Sequence, residues 1–97
     1  MTKKLRGIPW CSGPDPLHHQ MYVAFGYNRV SARRRGEQWD LTWLQWRDLW
    51  LPSWDQRGRS SDSLCLARCD IDGIWNEHNV HLITRREHGQ QVREHYR

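Results

Sequence analysis

With 97 residues the chain has room for one small domain, and no stretch reaches the length of a membrane span. Leu, Ile, Val and Phe are too few to build a core alone, but seven Trp and three Tyr can supply it, at roughly 150–250 Å² buried per aromatic. The formal net charge is +4, with Arg far outnumbering Lys among the basic residues, a balance that suits phosphate recognition and equally ordinary solubility. Three Cys are an odd number, and no apolar segment follows the basic Met1–Arg6, so a reducing, cytoplasmic setting is expected.

Residues 1–16 combine Lys3 and Lys4 with Gly7, Pro9, Gly13, Pro14 and Pro16, which predicts an irregular basic N-terminal arm pinned by Trp10. Residues 17–97 are expected to form a single domain. Leu17, Met21, Ala24 or Phe25, and Asn28 recur at helical spacing, giving a first helix to about Ala32 despite Gly26. Arg33-Arg34-Arg35-Gly36 then places positive charge and a Gly stop at its C-terminus. Trp39–Leu41 reads as a short extended piece. Thr42 and Gln45 have capping-box spacing ahead of Trp43, Trp46, Leu49 and Trp50, a second helix closed by Pro52 at about Leu51. Its Trp stripe is read as core rather than as a base-stacking face. Residues 55–63 form a polar loop whose Arg57 and Arg59 either touch a phosphate backbone or are solvated.

Leu64–Cys69 alternates as a strand, and Asp70-Ile71-Asp72-Gly73 carries turn chemistry. Ile74-Trp75 is expected to start the return. Asn79 precedes a second strand over Val80–Ile83. Thr84 and Glu87 repeat the capping-box spacing and open a helix that runs past His88 and Gly89 to about Glu94. The predicted class is therefore α+β: two N-terminal helices followed by a strand–turn–strand–helix unit at about 64–94.

That unit resembles the HNH finger, also called ββα-metal. More widely, Arg34-Arg35-Gly36, Trp39-Asp40-Leu41-Thr42-Trp43, Ala67–Trp75 and Asn79-Val80 are similar to a set of small phage proteins often labelled HNH-like. In active HNH fingers, the end of the first strand carries a metal ligand and then a His that activates water. On the match to Asp70 and Gly73, those positions are Ala67 and Arg68. Ala offers no ligand, and Arg stays protonated and cannot act as base. Asn79 corresponds to the Asn that braces the loop between the strands, with Gly73 and Thr84 as further structural positions. His88 lies near the helix position that offers a second metal ligand.

The resemblance thus implies a non-catalytic, nucleic-acid-binding protein with no required cofactor. Phosphate contacts would come from Arg68, Arg85, Arg86 and Arg93, joined by Arg33, Arg34 and Arg35. A second reading is a small phage interaction protein that binds and inhibits or redirects a host enzyme, since Trp and Arg are enriched at binding hot spots. A third is an active nuclease with a shifted divalent-metal site built from Asp70, Asp72, His81 and His88, with His81 as base. Zinc held by Cys65 and Cys69 with His18, His19 or His78 is disfavoured, because four residues of strand span about 13 Å.

Overall fold

In a computed structural model, residues 15–97 are described; the expected arm falls on 1–14, with Trp10 and Cys11, and lies outside them. Asp15 caps the first helix, α1 (Pro16–Arg34), its carboxylate accepting from the Leu17 N–H at 3.0 Å. Met21, Ala24, Phe25 and Ala32 form its buried face, whereas Leu17 lies exposed at the first turn. Gly26 stays helical, in a place where an added methyl would meet nothing. Gly36 ends the run with φ +79°, a left-handed conformation that needs no Cβ.

The second helix, α2 (Trp43–Trp50), opens with a full capping box: Thr42 Oγ1 takes the Gln45 N–H, and Gln45 Oε1 takes the Thr42 N–H. Trp46 and Trp50 are 0% and 1% exposed, so the Trp stripe forms the core as its spacing predicts. Burial of rings this size contributes about 4–6 kcal/mol each before entropic costs. The Trp46 indole N–H is satisfied by Asn28 of α1 at 3.2 Å, which explains a polar residue on that helix's inner face.

The α-helix closes at Trp50, ahead of Pro52 as expected. The chain then continues in short 3₁₀ turns over Leu51–Gln56, kinked at Ser53 (φ −130°, ψ 20°), with Pro52 tolerated in the first of them. These turns bring Trp54 to within 5.8 Å of Trp50 and 6.1 Å of Trp46, ring to ring.

Strands β1 (Leu64–Arg68) and β2 (Val80–Thr84) pair antiparallel, Leu64 opposite Thr84 and Arg68 opposite Val80. The alternation turns Leu64, Leu66, Val80 and Leu82 towards the aromatic cluster. Helix α3 (Arg85–His95) follows directly and packs on both strands. Its Thr84–Glu87 capping box is present. Trp75 starts no return strand; it forms a parallel bridge with Trp39, donating to Gln38 O at 2.9 Å and accepting from the Asp40 N–H at 2.8 Å.

The loop before β1 folds over the start of α3. Ser63 and Ser61 carbonyls accept the Arg85 and Arg86 N–H groups, which a helix's first turn would otherwise leave unpaired. Among the described residues, three α-helices, a 3₁₀ segment and a two-stranded antiparallel sheet make an α+β arrangement. No helix among the described residues is long and apolar enough to cross a membrane.

Candidate functional site

Asn79 fixes the loop between β1 and β2. Its Oδ1 accepts the Asp70 N–H at 2.9 Å, and its amide donates to the carbonyls of Asp70 at 3.1 Å and Ile74 at 2.9 Å. Gly73 lies against that amide, and a Cβ there would sit 2.7 Å from Asn79 Nδ2. Glycine at 73 is required by this close approach, and the Asp70–Gly73 turn carries a second local bond, from the Asp72 N–H to Asp70 Oδ1.

Arg68 lies at the same end of the hairpin, turned inwards. Its guanidinium donates to Gly73 O at 2.9 Å, meets Glu37 Oε2 at 3.2 Å and lies 5.1 Å from the Trp75 ring centroid. Only 12% of its side chain is exposed. Arg68, expected to contact phosphate, is turned inwards, and its charge is matched within the protein by Glu37. Arg35 grips the same carboxylate through two bonds of 3.0 and 2.9 Å, and Trp75 donates its indole N–H to it. The Arg35 bonds, helped by Trp75 and the Arg68 charge, hold the Glu37 carboxyl below its usual pKa against some burial.

Ala67 is 1% exposed beneath α3, paired across the strands with His81. His88 projects from α3, half-buried. Burial pulls its pKa below the usual histidine value, and the charges of Arg85, Arg35, Arg68 and His81 act in the same direction. Asp70 is engaged with the Asp72 N–H, and Asp72 faces His95 at 3.3 Å. Among the described residues no group of three or more His, Cys, Asp or Glu stands close enough to hold a metal ion, so Asp70, Asp72, His81 and His88 do not converge. Cys65 and Cys69 are free thiols, and burial pushes the Cys65 thiol up.

A concavity of about 520 Å³ runs along the free edge of β1 between α1 and α3. One wall is α1, with Ala24, Tyr27, Ser31 and then Arg35; the other is α3, with Arg85, His88, Val92 and Tyr96. No β2 residue lines it. Arg35, Arg57, Arg68 and Arg85 all line this cleft, against the one carboxylate of Glu37.

The other expected phosphate ligands lie outside the cleft. Arg33 and Arg34 are exposed at the end of α1, and Arg93 is exposed on α3. Arg86 is committed to Asp62 Oδ1 at 2.6 Å and to Ser61 Oγ. Sequence reasoning missed Glu37 and Trp75 as the partners of Arg68, and Gln91, whose amide donates to the Arg68 and Cys69 carbonyls. These contacts link residues far apart in the chain, and no local pattern announces them.

The chain matches no protein-family model, no curated protein and no solved structure.

Proposed function

We propose that the protein binds nucleic acid without cleaving it, on a degenerate HNH-like scaffold of the kind carried by small phage proteins. The observation that carries this reading is the cleft, where four arginines and His88 face a single carboxylate. Such an excess of positive charge in a concave site favours a polyanion, and Arg presents the planar fork that grips phosphate oxygens. The β1–β2–α3 order, the Asn79 brace and the Thr84 cap support the HNH-like part of the reading. Ala67 without a donor atom, and Arg68 bound to Glu37, support the absence of the usual hydrolytic step.

Fluorescence anisotropy with duplex and single-stranded oligonucleotides across a salt series tests binding. The expected log–log slope is about −2 to −4, as a few released counterions require. Absence of binding at low salt overturns the reading. Incubation with plasmid and Mg²⁺, Mn²⁺ or Zn²⁺, with chelator controls, tests cleavage: intact plasmid is expected, and metal-dependent nicking lost on substitution of His81 or His88 would restore the shifted-site nuclease.

A second reading, a phage protein that docks on a host enzyme, is favoured by one observation. Val23, Tyr27 and Val30 form an exposed apolar stripe along α1, at 42%, 72% and 44% exposure. Co-purification of one stoichiometric host protein, abolished by Val23→Asp, would support it; co-purification of none would set it aside.

A further inference from the structure

We propose that the end of the cleft between Arg57 and Arg85 is a phosphate-binding site, separate from the Ala67–Arg68 end that corresponds to the HNH catalytic centre. The two ends are separated by the length of β1, since Arg57 bridges Leu64 at its start while Arg68 closes it. This site deepens the nucleic-acid reading, on which the identity of its natural ligand rests.

Three observations converge on it. First, Arg57 and Arg85 both line the cleft, and neither makes an ion pair among the described residues, unlike Arg35, Arg68 and Arg86. Second, both heads are held in place. The Arg57 guanidinium lies 5.1 Å from the Trp54 ring centroid and 5.7 Å from that of Trp50. Arg85 is anchored by its Nε–H on Gly58 O, which leaves its two terminal nitrogens without a partner among the described residues. Third, Trp50 lines the same cleft, and its buried indole N–H has no hydrogen-bond partner among the described residues.

Although Arg57 is exposed as a residue, desolvation of its head on the two indoles, together with the nearby Arg85 charge, lowers its pKa. Arg57 is the chain neighbour of Gly58, whose carbonyl holds Arg85, so two like charges without a carboxylate partner are brought to one end of the cleft, and a dianion there would relieve them. The backbone N–H groups of Arg85 and Arg86 are already taken by Ser63 and Ser61, so the side chains, and not the helix terminus, supply the site. The ligand chemistry is a phosphate group, either of a nucleic-acid backbone or free.

Proton–nitrogen correlation spectra of the full chain, read at Trp50 Nε1–H and Arg85 Nε–H, test the site. Inorganic phosphate, a mononucleotide and a short single-stranded oligonucleotide are titrated against chloride at equal ionic strength. Saturable shifts with phosphate are expected, weakened about tenfold or more by Arg85→Gln and by Arg57→Gln, as loss of a charge-assisted bond implies. Arg57→Lys and Arg85→Lys keep the charge and report whether the fold survives. Absence of a saturable shift with any of the three ligands overturns the site, as does an unchanged midpoint in both Gln variants. Oligonucleotide binding that ignores both substitutions leaves the nucleic-acid reading standing and removes this site. Saturation by phosphate or mononucleotide, without oligonucleotide binding, supports the site and removes that reading.

Discussion

Arg68 and Glu37 meet at 3.2 Å, joining the last residue of β1 to the segment that follows α1. The pair is mostly shielded, at 12% and 19% side-chain exposure, and Glu37 also serves Arg35 and Trp75. Removing one partner of a shielded pair costs more than the pair contributes, because the other charge is left uncompensated. Glu37→Gln is expected to destabilise by about 2 kcal/mol in urea unfolding, below the fully buried range because water still reaches the carboxylate. The Glu37 pKa is lower folded than unfolded, so its contribution is fully present above about pH 4.5 and is lost as pH falls through the folded value. The Gln variant should lose that segment of the acid limb.

The brace at Asn79 predicts a coupled pair of substitutions. Asn79→Ala removes three side-chain bonds to the 70–74 loop and should cost about 2–3 kcal/mol. Gly73→Ala puts a methyl 2.7 Å from Asn79 Nδ2 and should break the same bonds. In a double-mutant cycle the two costs are expected to overlap rather than add, with a coupling of about 1 kcal/mol or more. Strict additivity would mean that the loop is held by something else.

Trp46 carries the aromatic core. It is fully buried, bonded to Asn28, and its ring centroid lies about 6 Å from those of Phe25, Trp43, Trp50 and Trp54. Trp46→Ala should cost about 3–5 kcal/mol, and Trp46→Phe about 2 kcal/mol, through lost volume and the unpaired Asn28. Thermal unfolding followed by near-UV circular dichroism checks both values.

His88 predicts a pH dependence of its own. Arg85 on α3, Arg35 beyond α1, Arg68 on β1 and His81 on β2 all disfavour its protonation, as does burial. Its folded pKa is depressed, so stability holds above the ordinary value of 6.5 and falls as pH drops towards the folded value. His88→Gln should flatten stability through that window, and the imidazole signals of the parent protein should titrate below 6.5. Phosphate in the cleft would oppose the arginine charges and raise the midpoint.

What could be seen in the sequence was what the chain encodes locally. Both capping boxes span four residues, and both formed; the Trp stripe became core, and the hairpin and its following helix lie where alternation and turn chemistry place them. Pro52 ends the α-helix where it was read to, and the 3₁₀ turns that follow were not legible because such a turn accepts Pro at its start. The seven arginines expected from the sequence as phosphate ligands are divided in three dimensions. Arg68 faces Glu37, Arg86 faces Asp62, and Arg57, read as a loop residue either on phosphate or solvated, lines the cleft. Charge counts cannot reveal which arginine meets which carboxylate, because that is decided by contacts between distant segments.

The bridge between Trp39 and Trp75 makes the hairpin loop depend on the helices. Its main-chain bonds run to Gln38 and Asp40, and the two indole rings lie 5.5 Å apart. Hydrogen exchange at the Asp40 and Trp75 amides should therefore share one opening free energy, close to that of the α1 and α2 interior, instead of the lower value typical of loop amides. A peptide cut down to residues 64–97 would lose that bridge together with the Glu37 counter-charge. It should remain largely unfolded in water, although it contains every residue of the strand–strand–helix unit.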